Sequence, residues 1–160
     1  MTDFRTLIEA LTDHHVDFVV IGGVALVLRG SPRATADLDV CYRREPGNLT
    51  RLSKALLPLT PTLLGAPADL PFKLDERTLR SGLNFTLSTS KGDIDLLGEV
   101  TGIGGYDSVS AGAAPMELFG RAVLVMSLDT LERGKRASGR IKDLADLAHI
   151  AEIRKRTKAE

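Results

Sequence analysis

Residues 36–42 read ADLDVCY, and the placement of this heptad decides the fold. Leu38 and Val40 alternate with Asp37 and Asp39, the two-residue period of a β-strand, so both carboxylates share one face. An unpaired carboxylate in apolar surroundings is costly. The strand therefore either lies at a solvated edge or turns its acids towards a cation. Taken alone, a single Asp-x-Asp fits the solvated edge at least as well.

The sequence upstream supplies a second element. In VDFVVIGG (residues 16–23) the β-branched run Val19-Val20-Ile21 reads as a buried strand ending at Gly22 and Gly23. A short helix over 24–29 follows, and Gly30-Ser31-Pro32 breaks it. Glycines at a strand-to-helix junction let a ligand approach the backbone, and a helix start offers free N–H groups to phosphate. A plain tight turn would explain the pair equally well without the acids downstream.

A third element repeats the first. In KGDIDLLGEV (residues 91–100) Asp93 and Asp95 alternate with Ile94 and Leu96. This strand is expected to form a hairpin with NFTLST (84–89) through a Ser90-Lys91-Gly92 turn. Were the two acidic strands neighbours, three or four carboxylates would converge. Such a group cannot stay ionised without a cation, and hard oxygen ligands suit Mg²⁺ or Mn²⁺.

Elsewhere, Thr2 or Asp3 is expected to cap a first helix carrying Phe4, Leu7, Ile8 and Leu11. A helix is predicted over 47–57, loop over 58–71, a mobile Gly-rich segment over 101–112, two short strands around Gly120, and helices over 128–137 and 141–156. Strands interleaved with helices give an α/β (α+β) fold, a mixed β-sheet flanked by helices. The expected organisation is a catalytic unit over 1–127 with a C-terminal helical segment, 128–160, packed on it.

Composition bounds the function. The 160 residues are 43% hydrophobic and only 4% aromatic, so aliphatic side chains must fill the core. Lys plus Arg and Asp plus Glu are both 21, which argues against wholesale wrapping of nucleic acid but not against a local basic patch. The single cysteine, Cys41, rules out a disulfide framework within the chain. No charged-then-apolar leader opens the sequence and no apolar run reaches membrane-spanning length, so a cytoplasmic location without membrane attachment is expected.

Ile21-Gly22-Gly23, Asp37-Leu38-Asp39 and Ile94-Asp95-Leu96 together resemble the DNA polymerase β-like nucleotidyltransferase superfamily. The stretch RATADLD (33–39) looks like the R-x-T-x-D-[IL]-D variant of its small prokaryotic members, which include minimal nucleotidyltransferases and toxin–antitoxin relatives. The segment MSLDTLERGKRASGRIKDLADL (126–147) is similar to their C-terminal helical region, which often reads K-x-x-x-x-R-x-K-D-x-x-D. The resemblance covers most of the chain; nothing in 41–84 can be assigned to it.

The resemblance implies that Asp37, Asp39 and Asp95 are catalytic and bind Mg²⁺ (or Mn²⁺), with Asp95 helping to activate the attacking hydroxyl. It implies nucleotide contacts from Gly22, Gly23, Arg33, Thr35, Lys135 and Arg140, with Asp93 outside the pattern. For Arg33, pairing with an aspartate weighs as much as contact with triphosphate. The basic residues between 133 and 142 also fit a solvated helix face balanced by Asp143 and Asp146. His14, His15 and His149 show no ligand spacing and are expected at the surface. The implied activity is metal-dependent transfer of NMP from an NTP to an acceptor hydroxyl, with RNA (tRNA) or a partner protein, encoded by a neighbouring gene, as acceptor. Two alternatives stay open: a nucleotide- or partner-binding module of the same fold, and a small-molecule (antibiotic) nucleotidyltransferase.

Overall fold

The computed structural model describes residues 1–67 and 69–159. Ala68, within the expected 58–71 loop, and Glu160 lie outside the described residues. Helix α1 (Phe4–Asp13) starts at Asp3, whose carboxylate accepts from the Thr6 backbone N–H at 3.0 Å. Its Leu7, Ile8 and Leu11 are wholly buried, as their spacing requires. Strand β1 (Phe18–Ile21) is buried throughout and runs straight into α2 (Gly22–Leu28), which begins two residues earlier than expected. Then come β2 (Leu38–Tyr42) and α3 (Pro46–Leu56).

The stretch expected as loop holds a 3₁₀ turn over Leu57–Leu59 and a two-residue strand, β3 (Thr62–Leu63). Helix α4 (Glu76–Ser81) was not foreseen; Asp75 caps it by accepting from the Thr78 N–H at 2.8 Å. The hairpin forms as β4 (Asn84–Thr89) and β5 (Gly92–Leu97). The expected second arm ends early because Gly98 breaks it, and β6 (Glu99–Val100) pairs instead with β7 (Gly104–Gly105) in a separate ribbon. Helix α5 (Tyr106–Ser110) follows, so the glycine-rich segment expected to be mobile is ordered into a ribbon and a helical turn. The chain closes with β8 (Ala114–Leu118), β9 (Arg121–Val125), α6 (Leu128–Ser138) and α7 (Ile141–Ala159).

Seven strands form one mixed sheet in the order β3-β4-β5-β2-β1-β9-β8, flanked by helices. Strand β2 pairs antiparallel with β1 and parallel with β5, while β9 pairs parallel with β1. Val19, Val20, Leu38, Val40, Ile94 and Leu96 are fully buried at its centre. Leu131 of α6 and Ile150 of α7 join the same core, which fastens the C-terminal helices to the sheet. Cys41 is free and buried there. Among the described residues no helix is long and apolar enough to cross a membrane.

Candidate active site

Antiparallel pairing brings the end of β1 to the start of β2, with Ile21 opposite Asp39. Parallel pairing sets Asp95 of β5 opposite Asp39. One edge of the sheet thus gathers the glycines after β1 and the acidic beginnings of two strands. The two-residue period sends Leu38, Val40, Ile94 and Leu96 into the core and leaves Asp37, Asp39, Asp93 and Asp95 half-buried on the opposite face.

Asp39 and Asp95 line a cavity of about 450 Å³. The Oδ1 atom of each is buried without a hydrogen-bond partner. Burial, and then the charge and hydrogen bond of Asp95, push the Asp39 carboxyl up to about 7, against the pull of the Lys135 charge. Asp37 is also raised, first by burial and then by the charges of Asp95 and Asp93, with Lys142 opposing. Like charges this close are relieved by a shared proton or by a cation.

The donor set fits a hard divalent ion. Among the described residues no three His, Cys, Asp or Glu side chains are gathered into a ready-made cage. Asp37 stands outside the cavity lining, at the flank of the facing pair. One or two carboxylates, with the other positions left to water and substrate phosphate, are what proteins ordinarily supply to Mg²⁺.

Gly22 is required where it stands. Its φ is +65°, and a Cβ there would lie 2.2 Å from Oδ2 of Asp39. Gly23 instead packs against Thr35, where a Cβ would come within 2.6 Å of the hydroxyl. Thr35 donates to the Asp37 carbonyl at 3.3 Å and so shapes the entry to β2.

The positive charge comes from the C-terminal helices. Lys135, Arg140 and Lys142 line the same cavity. Asp143 and Asp146, both buried, organise these cations. Lys135 Nζ lies 2.9 Å from Asp146 and 3.4 Å from Asp143. Arg33 donates to both oxygens of Asp146 at 2.8 and 2.9 Å. Arg140 donates to one oxygen of Asp143 through its backbone N–H at 3.0 Å and its Nε at 3.2 Å. Burial alone would raise Asp143; donors from Arg140 and Ser138, with the Lys135 charge, outweigh it and hold the carboxyl at about 2.

The structure brings Gly22, Asp39, Asp95, Lys135 and Arg140 to one cavity. It places Gly23, Arg33 and Thr35 behind that wall, where Arg33 takes the paired alternative. The solvated-face reading of 133–142 fails for the acids: Asp143 and Asp146 point inward and only Arg136 keeps a plain surface pair, with Glu132. Sequence reasoning passed over both acids as supports of the site. A signal existed, since Asp143, Asp146, Ile150 and Ile153 continue one helical face, which is the buried one. His14 closes α1 through the Ala10 carbonyl, and His149, expected at the surface, is half-buried.

Comparison with protein-family models finds no match, and comparison with curated proteins finds none either.

Proposed function

We propose that the protein is a metal-dependent nucleotidyltransferase that moves an NMP group from an NTP to an acceptor hydroxyl on RNA or a partner protein, with release of pyrophosphate. The observation that carries this reading is the facing of Asp39 and Asp95, with orphan buried oxygens, between a bare glycine backbone and a cluster of cations. When bound by Asp39 and Asp95, with Asp37 at their flank, Mg²⁺ or Mn²⁺ supplies Lewis-acid stabilisation of the phosphoryl oxygens. Gly22 leaves room beside Asp39 for a triphosphate to approach the backbone. Lys135, Arg140 and Lys142 supply positive charge to the leaving phosphates, and Asp143 with Asp146 holds Lys135 in place. Oδ1 of Asp95 is the acceptor for the proton of the incoming hydroxyl.

Incubation with Mg²⁺, labelled NTPs and either total tRNA or cell lysate tests the reading. Label transferred by the native chain and lost with Asp39→Ala supports it. Mg–NTP binding by calorimetry without any transfer would leave a binding module in its place.

A further inference from the structure

The cavity has two unlike ends. Asp39, Asp95 and Lys135 line the polar end, while Leu97, Val100 and Leu131 line an apolar one. Helix α6 crosses both, and at the apolar end it presents Gly134.

A glycine inside a helix destabilises it relative to alanine, so its presence needs a reason. Gly139, which ends the helix at φ +62°, has such a reason. Gly102 has one too, since a Cβ there would fall 2.3 Å from the Ala137 methyl. Gly134 has neither. Its backbone is ordinary helix, and the nearest atoms to a Cβ would be Ile103 Cγ1 at 3.8 Å and the Thr101 carbonyl and Val100 Cγ1 at 4.0 Å. Alanine would fit, and would add contacts between α6 and the ribbon turn. A side chain longer than a methyl is blocked on the ribbon side and must extend into the cavity.

We infer that Gly134 is a specificity-determining position: by withholding a side chain it keeps the apolar end of the cavity wide enough for the nucleobase of the NTP. The inference rests on the nucleotidyltransferase reading. The flat, weakly polar face of a base suits an aliphatic wall, and shape carries the recognition at this end. The triphosphate lies at the other end, beyond reach of residue 134.

Calorimetry on the full chain with Mg–ATP and with Mg–tripolyphosphate, which lacks base and sugar, separates the two ends. Gly134→Val should weaken Mg–ATP about tenfold or more while leaving Mg–tripolyphosphate unchanged within about twofold. Gly134→Ala should raise the melting temperature by about 2 °C and weaken Mg–ATP only slightly. It keeps the test alive should the valine variant unfold, because a rise in stability with a loss confined to the base-bearing ligand has no purely structural explanation. Equal Mg–ATP affinity across the Gly, Ala and Val series overturns the inference, as does a parallel loss of both ligands in a folded variant. Failure of the native chain to bind either ligand sinks the nucleotide reading itself.

Discussion

Two pairs of carboxylates lie within reach of the same lysine, and their surroundings could hardly differ more. Asp143 and Asp146 are buried but meet Arg33, Lys135 and Arg140 in a closed network. Asp39 and Asp95 are half-buried and face each other with oxygens that nothing satisfies. Burial raises a carboxyl in either place; only at Asp143 do donors reverse the effect. The lesson is that burial does not mark a functional acid. The mark is burial left uncompensated by the protein's own groups.

The contrast can be broken at four points, taken from the largest expected effect. Asp39→Asn should lower nucleotidyl transfer by about 10³-fold, the scale for losing a group that stabilises transition-state charge, while the metal-free protein becomes more stable. A fall in both would make Asp39 structural. Asp146→Ala should do the opposite and destabilise the fold by roughly 3 kcal/mol, because Arg33 and Lys135 would keep their places without a counter-charge; urea titration reads it directly.

Gly22→Ala combines a left-handed backbone with a collision against Asp39. It should lower stability by about 2 kcal/mol and abolish Mg²⁺-dependent stabilisation in thermal melts. Loss of stability with unaltered Mg²⁺ response would show that the carboxylate need not sit where the glycine puts it.

The mildest test is pH. Asp39 moves from its ordinary 3.8 to about 7 on folding, so the folded chain holds an extra proton between those values. Stability of the metal-free protein should therefore fall as pH rises from about 4 through 7. Asp143, held at about 2, contributes fully above its ordinary 3.8 and loses that contribution as pH falls towards 2. Melts in chelator should peak between about pH 4 and 6, with added Mg²⁺ stabilising most above pH 7, and Asp39→Asn should flatten the alkaline side.

The central strands and the acidic edge were legible because strand period and register are written in alternation: Leu38 against Asp39, Ile94 against Asp95. The hairpin around residues 90–92 and the strands about Gly120 were readable from their turn residues. Helix α4 and the β6–β7 ribbon were not, since six residues or fewer carry no usable period and their stability comes from tertiary contacts. The inward turn of Asp143 and Asp146 was hidden for another reason. Charged positions are assumed to face water unless the chain supplies buried partners, and Arg33, one such partner, lies far off in sequence.

The parallel pairing of Val19 and Val20 with Leu124 and Val125 bears on how the chain is made. During synthesis β1 emerges early, a run of β-branched apolar residues with one edge unpaired until β9 has left the ribosome. Folding must wait for that distant partner, and meanwhile the open edge invites pairing with another nascent chain. The same delay brings Lys135 and Arg140 last of all. A newborn chain therefore carries its acids before its cations, and the cavity gains its binding charge only when synthesis is nearly complete.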